Sequence, residues 1–274
     1  MSEAAWGSHR PSALARTLIG LSRHSVFGRG RLRRRVTQPL FERLHCGPVD
    51  CTLWGSPVRL WPAHNRSDRK ALLRPDHLDR RELRFLASRM AKDEAVFVDV
   101  GANSGFYSLY AAMHAGEDAR IFAAEPAAPV LDRLVFNFAL ARQAGRINKS
   151  TRLLLINAAI GDWDGEALLS VSGSDGGRTL RTTTGERVQV RPLATALSDR
   201  GLYHADVLKI DVEGFEDRIL PPYLRAIPPA HFPGAIIIEH VSRADWRVDC
   251  IDDCLDRGYR VLFTTQANTV LVRA

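Results

Sequence analysis

Several charged side chains stand at or near the ends of apolar runs, where a buried strand would give way to a turn. Asp99 follows Val96-Phe97-Val98, and Glu125 follows Ile121-Phe122-Ala123-Ala124. Lys209, Asp211 and Glu213 alternate through Val207 to Gly214, and Glu239-His240 follows Ile236-Ile237-Ile238. A charge in such a place is costly unless it is paired or faces the crevice at the carboxyl edge of an open α/β sheet, where ligands bind. The alternation predicts Lys209, Asp211 and Glu213 on one face, with Glu239 and His240 on the same edge. A carboxylate or an imidazole there can take the proton of a hydroxyl during a direct displacement, which makes Asp211 and His240 the candidate bases. The competing reading of Lys209, Asp211 and Glu213 is a structural ion-pair network, and His240 can equally be a packing residue.

The turn after the first of these strands reads Gly101-Ala102-Asn103-Ser104-Gly105. Its Gly-x-Asn-x-Gly spacing departs from the Gly-x-Gly-x-x-Gly that cradles a dinucleotide pyrophosphate. A ligand without phosphate fits better. S-adenosylmethionine presents an amino-acid moiety, a ribose and an adenine, and Asp99 is placed to meet its ammonium directly or through water. Glu125 lies twenty residues beyond Gly105, the distance at which an acid takes ribose hydroxyls. Asp99 as a helix cap and Glu125 as a loop acid before Pro126 are the structural alternatives, and the recurrence at two successive strand ends favours the ligand reading.

The elements that position these residues follow from the apolar periodicity. Runs at 96–98, 121–123, 153–156, 207–208 and 236–238 alternate with helical stretches at 104–114, 130–141, 217–220 and 249–257. Strand and helix in alternation predict a doubly wound α/β fold with a mostly parallel sheet. Two strand-like runs, 167–171 and 187–191, flank the glycine-rich 172–177 and read as an inserted hairpin spanning about 165–191. Runs at 259–263 and 269–272 read as an antiparallel C-terminal hairpin at the sheet edge. Pro221-Pro222 is expected to end a helix beginning near Phe215.

Upstream, residues 46–95 read as a small N-terminal cap. It comprises a hairpin turning at Gly55-Ser56-Pro57 and a helix carrying Leu83, Phe85, Leu86 and Met90, with 96–274 as the catalytic domain. The 274-residue chain carries a net charge of +7, with arginines concentrated at its start. No acidic residue occurs from Ala4 to Phe41, so residues 1–45 read as a basic, flexible tail. Leu14, Leu18 and Leu21 on one helical face leave a weak contact with an anionic nucleic acid or membrane surface as the alternative. Cys46, Cys51, Cys250 and Cys254 lack metal-site spacing, no metal site is expected, and Cys250 and Cys254 read as buried helix residues. No run is apolar enough to span a membrane, and a cytoplasmic location is expected.

The chain resembles the FkbM family of methyltransferases from about Leu83 to Glu239. The blocks that carry the resemblance are Val96 to Leu109 (VFVDVGANSGFYSL), Phe122 to Pro126 (FAAEP), Asn157 to Asp162 (NAAIGD), Leu208 to Glu216 (LKIDVEGFE) and Ile237 to Glu239. The resemblance implies a Rossmann-like seven-stranded fold and S-adenosylmethionine as donor. It also implies O-methylation of a hydroxyl on a sugar, polyketide or other small molecule, and it brings the stretch bounded by Asn157 and Asp162 near the adenine. Where many members carry Thr-Leu-Asp before the fourth strand, this chain has Pro192-Leu193-Ala194-Thr195. A nicotinamide-dependent oxidoreductase would need the dinucleotide glycine spacing and a relay such as Tyr-x-x-x-Lys. A base methyltransferase would need its Pro-Pro-Tyr motif at the fourth strand's end, whereas here Leu220-Pro221-Pro222-Tyr223 lies beyond Asp211-Val212-Glu213-Gly214.

Overall fold

A computed structural model describes residues 4–24, 35, 38–44, 47–170, 180 and 183–273. Arg29 to Arg34, Cys46 and the glycine-rich tip 172–177 lie outside the described residues. The chain forms two compact units, one built from residues up to Arg80 together with Val135–Arg146, the other from Arg81–Leu134 and most of the chain after Ile147.

The smaller unit contains helices α1 (Ala13–His24) and α2 (Gln38–Leu44), strands β1 (Val49–Leu53) and β2 (Ser56–Leu60), and helix α3 (Arg66–Leu73). The hairpin turns on Trp54-Gly55, both at positive φ (53° and 77°), because a two-residue turn with two positive φ values matches the right-handed twist of its strands. Ser56 and Pro57, expected in the turn, open β2 instead. Segment 13–24, expected in a flexible tail, is a helix whose Ala15, Leu18, Ile19 and Ser22 are buried. That is an i, i+3, i+4, i+7 face; it includes Leu18 but leaves Leu14 and Leu21 exposed. Ser22 Oγ donates to Leu73 O at 3.0 Å, fastening α1 to the end of α3. Asn137 reaches 78 residues back: Oδ1 accepts from Arg59 N at 2.7 Å and Nδ2 donates to Arg59 O at 2.9 Å. It thereby fills a ladder position that no neighbouring strand occupies.

The larger unit opens with α4 (Arg80–Met90) and continues through β3 (Val96–Val100), α5 (Phe106–His114), β4 (Arg120–Ala124), the start of α6 (Ala128–Gln143, of which the part from Val135 belongs to the smaller unit), β5 (Arg152–Ile156) and β6 (Ala159–Gly161). Then come β7 (Gly165–Leu169), β8 (Glu186–Pro192), α7 (Leu193–Ser198), β9 (Val207–Ile210), α8 (Leu220–Ala226), β10 (Ala235–Glu239), α9 (Cys250–Asp256), β11 (Tyr259–Thr264) and β12 (Asn268–Arg273). Seven strands form one sheet in the order β11-β12-β10-β9-β3-β4-β5. β12 runs antiparallel to both of its neighbours, β10 and β11; β5, β4, β3, β9 and β10 are parallel. The apolar runs of β3, β4, β9 and β10 are buried, as parallel strands covered on both faces require, whereas β5 at one edge is half-buried and β11 at the other is largely exposed. The order reverses between β3 and β9, and this switch point opens the ligand crevice of a doubly wound sheet.

The inserted segment gives the antiparallel pair β7 and β8, and β6 adds to it as a third strand. Helix α4, grouped with the cap in the sequence, belongs to the sheet unit from Arg81 onward. There the buried Glu82 accepts from Thr265 Oγ1 and Asn268 Nδ2, tying α4 to the β11–β12 turn. Pro221-Pro222 begins α8 rather than ending a helix. A proline in the first turn lacks only an N–H that would have no helical partner anyway. The residues before it form a single 3-10 turn, Glu216–Arg218. Cys250 and Cys254 are free thiols on the buried face of α9.

Candidate active site

The Gly101–Gly105 turn leaves β3 with three residues at positive φ: Gly101 (74°), Asn103 (51°) and Gly105 (79°). Every backbone N–H in it is already engaged. Gly101 N and Ala102 N share Ala124 O, each at 3.0 Å, and Gly105 N donates to Ala102 O at 2.9 Å. Asn103 N donates to Glu125 Oε2 at 3.0 Å, and Ser104 N donates to Asn103 Oδ1 at 2.7 Å. A phosphate nest needs N–H groups free to converge on an anion, and these five do not offer one. The Asn at the centre of the turn, instead of glycine, brings its own side-chain cap and closes the loop on itself.

Glu125 stands at the end of β4, and its second oxygen accepts from Ala127 N at 2.9 Å. A carboxylate can accept up to about four hydrogen bonds, from hydroxyls as well as from N–H groups. Asn157 steadies this acid from behind, donating from Nδ2 to the carbonyls of Glu125 and Pro126, each at 2.9 Å. Asp162 is exposed and pairs with Arg218 at 2.7 Å. Two ribose hydroxyls of S-adenosylmethionine match Glu125 at a turn whose N–H groups are already engaged.

Asp99 and Lys209 are register partners on β3 and β9, both almost wholly buried. Asp99 Oδ2 accepts from Ser108 Oγ at 2.7 Å, and Lys209 Nζ lies 3.7 Å from Asp99 Oδ1. Burial pushes the Asp99 carboxyl upward, opposed by Lys209 and the Ser108 hydrogen bond. Lys209 also donates to Asp211 Oδ2 at 3.1 Å and sits 4.8 Å from the centre of the Tyr107 ring. The result is a chain of alternating charge, Asp99–Lys209–Asp211, whose inner acid is sealed and whose outer acid is open to solvent. The Asp211 side chain is 36% exposed.

Strand β9 stops at Ile210, so the period-two alternation stops with it. Glu213 (φ 55°) and Gly214 (φ 93°) turn the chain, and Glu213 is exposed rather than stacked above Asp211. Glu216 holds this loop and was not singled out in the sequence. It is buried and accepts from Val212 N at 3.0 Å, Gly214 N at 3.3 Å and Trp246 Nε1 at 2.8 Å. Its position two residues past a glycine inside an acidic turn is the signal, since a carboxylate there can collect loop N–H groups. Ser108 and Tyr107 were missed for a different reason: they belong to the following helix, and only the fold brings them under β3 and β9.

Glu239 ends β10 beside this loop. Its Oε2 is buried without a hydrogen-bond partner among the described residues. Burial first, then the negative charges of Asp211, Glu213 and Glu216, push its carboxyl up to about 8, with Lys209 opposing. Glu239 therefore holds its proton well above the usual carboxylate range. His240 follows it, with Nδ1 3.0 Å from Thr269 Oγ1, and burial and Arg243 lower its basicity.

A raised carboxyl value means that the native state binds more protons than the unfolded chain between about 4.5 and 8. Stability from this group is full below that window and is lost as pH rises through it. Glu239→Gln is expected to flatten the loss, leaving the variant more stable than the parent at pH 9 by on the order of 2 kcal/mol, or about 5 °C in melting temperature. Melting curves from pH 5 to pH 9 check this, and parallel curves for the two proteins contradict it.

The methyltransferase FkbM domain matches residues 99–261, more than half of the chain. The chain belongs to the FkbM methyltransferase family. It is an S-adenosylmethionine-dependent methyltransferase on a Rossmann-like seven-stranded sheet. Among solved structures it is similar to a precorrin-6y C5,15-methyltransferase from Geobacter metallireducens, at 15% identity and a TM-score of 0.42 over 70% of this chain and 87% of that one. It is also similar to the magnesium protoporphyrin IX methyltransferase of Synechocystis with bound S-adenosylmethionine, at 11% identity and a TM-score of 0.43 over 77% and 85%. Aeropyrum pernix fibrillarin with natively bound S-adenosylmethionine matches at 14% identity and a TM-score of 0.37 over 67% and 68%. No curated protein matches the chain. No helix among the described residues is long and apolar enough to cross a membrane, and those residues hold no cluster of three metal-ligating side chains.

Proposed function

We propose that this methyltransferase O-methylates a hydroxyl group on a small molecule or glycan, with Asp211 as the base. The observation that carries the reading is the solvent-open Asp211, held by Lys209 at 3.1 Å, beside Glu239, whose buried carboxyl is pushed up toward its protonated form. One acid can accept the hydroxyl proton while the other donates a hydrogen bond to a second oxygen of the acceptor. Bound S-adenosylmethionine supplies an electrophilic methyl group. Glu125 holds the ribose hydroxyls, and the Gly101–Gly105 turn with Asn157 keeps Glu125 in place. Asp99, read from the sequence as the partner of the donor's ammonium, is wholly buried, and the role we assign it is to orient Lys209, and so Asp211, from within the core. His240, hydrogen-bonded to Thr269, borders the acceptor, and Asp162 fixes the adenine-side loop through Arg218. The free thiols of Cys51, Cys250 and Cys254 favour a reducing, cytoplasmic setting. The units are proposed to act as an N-terminal module on a catalytic domain that carries the β6-β8-β7 insertion.

Calorimetric titration with S-adenosylmethionine, S-adenosylhomocysteine and NAD tests the donor side. Only the adenosyl ligands are expected to bind. Glu125→Gln should weaken S-adenosylhomocysteine about 10-fold and Glu125→Ala about 50-fold, because charged acceptors give hydrogen bonds of about 1.5–3 kcal/mol. Equal affinity in both variants and the parent, or binding of NAD, refutes the assignment.

A further inference from the structure

The smaller unit holds a cavity of about 350 Å³ that the methyl-transfer site does not use. Arg10, Arg16 and Arg23 line it together with Trp6, Ile19 and Leu72. Asp50 also borders it, but that carboxylate is already occupied. It accepts from Gly7 N at 2.7 Å and His9 N at 3.0 Å, and it forms a two-pronged pair with the buried Arg59 at 2.7 and 3.0 Å. Those contacts hold its carboxyl below the usual range despite burial. Its charge is therefore spent on Arg59, leaving the three lining arginines uncompensated.

Arg10 and Arg16 form no ion pair among the described residues. Arg23 donates from Nε to Leu72 O at 2.8 Å, while its Nη2 is shut off from solvent with no acceptor. Its neighbour Cys51 supplies no anion, since burial pushes that thiol up to about 11. A buried guanidinium nitrogen without a partner costs free energy that an anion in the cavity would recover. Trp6, Ile19 and Leu72 line the same cavity and give it apolar surface beside the guanidinium groups, suited to a hydrocarbon or aromatic group.

We propose that this cavity binds a phosphate monoester carried on an apolar group. Three guanidinium forks suit a doubly charged, three-oxygen anion better than a single carboxylate. The volume lies at the small end of ligand pockets, room for a phosphate and about one ring. Such a group can come from a soluble organic phosphate or from a lipid head group, and the test separates the two.

The full chain is titrated by calorimetry with phenyl phosphate, phenol and inorganic phosphate. Phenyl phosphate is expected to bind one-to-one and saturably, inorganic phosphate more weakly, and phenol not at all. Arg23→Gln and Arg16→Gln should each weaken phenyl phosphate about 10-fold. Arg16→Gln serves as the variant without a structural hydrogen bond to lose. Arg260→Gln, an exposed change on β11, should leave binding as it is, and S-adenosylhomocysteine affinity should be the same in all four proteins. Sedimentation with neutral vesicles doped with phosphatidic acid gives the source. Binding that phenyl phosphate displaces and Arg16→Gln removes assigns a lipid head group, whereas binding of phenyl phosphate alone assigns a soluble ligand. Absence of saturable binding to both probes, equal affinity for phenol or inorganic phosphate, or an equal loss in Arg260→Gln overturns the proposal.

Discussion

Asp211→Asn is expected to lower turnover about a thousand-fold while S-adenosylhomocysteine binds with unchanged affinity. A positioned general base contributes on the order of 10²–10⁴ in rate, and asparagine keeps the shape of aspartate without its ability to take a proton. The fold should survive, because Asp211 is open to solvent and Lys209 retains Asp99 as its second partner. Acceptor screening by S-adenosylhomocysteine release comes first; the variant is then compared with the parent on whichever hydroxyl compound reacts. His240→Gln separates the two candidate bases. With Asp211 as base, that variant retains turnover within about 10-fold, since it loses only a bordering contact. Near-complete loss in His240→Gln together with retention in Asp211→Asn transfers the role to the imidazole.

The difference between these two residues shows what the sequence could and could not convey. Both were visible as polar residues beyond apolar runs, and the sheet they belong to was legible because parallel strands covered on both faces must be apolar throughout. The turn was legible too, since its glycine spacing excluded a pyrophosphate cradle, and the structure supplies the reason in five engaged N–H groups. What alternation could not foresee is where a strand ends. Glu213 was placed beside Lys209 and Asp211 by counting in twos, yet β9 stops at Ile210 and two positive φ values send Glu213 outward. The same limit hid Ser108, Tyr107 and Glu216, whose roles depend on long-range packing and loop closure rather than on periodicity. Within the arginine-rich start, the described helix 13–24 was hidden for a related reason. Its composition suggested a solvated tail, whereas in segment 13–24 four spaced small and apolar residues suffice to pack α1 once α2 and α3 provide a surface. Asp50 and Arg59 then bury a charge pair that neither residue advertises in sequence.

The junction of turn and acceptor edge makes the remaining large prediction, the cost of a single methyl group at Gly101. A Cβ there would overlap the carbonyl oxygen of Asp211, and the residue sits at φ 74°. The left-handed backbone alone costs about 1–2 kcal/mol for an L-residue. The overlap adds more, because Asp211 N is hydrogen-bonded to Val100 O at 3.1 Å and the β9 end cannot retreat without breaking that bond. Gly101→Ala is therefore expected to lose about 4 kcal/mol or more in urea unfolding. Gly105→Ala meets the Leu134 side chain instead, at a similar φ of 79°, and a side chain can be trimmed where a carbonyl cannot. Leu134→Ala should restore part of the stability lost in Gly105→Ala and none of that lost in Gly101→Ala, a non-additivity that a double-mutant cycle reads directly. The same overlap displaces the backbone that carries Asp211, so any folded Gly101→Ala should lose turnover as severely as Asp211→Asn. Equal rescue of both glycine variants by Leu134→Ala would show that the contact between Gly101 and Asp211 does not set the geometry of the edge.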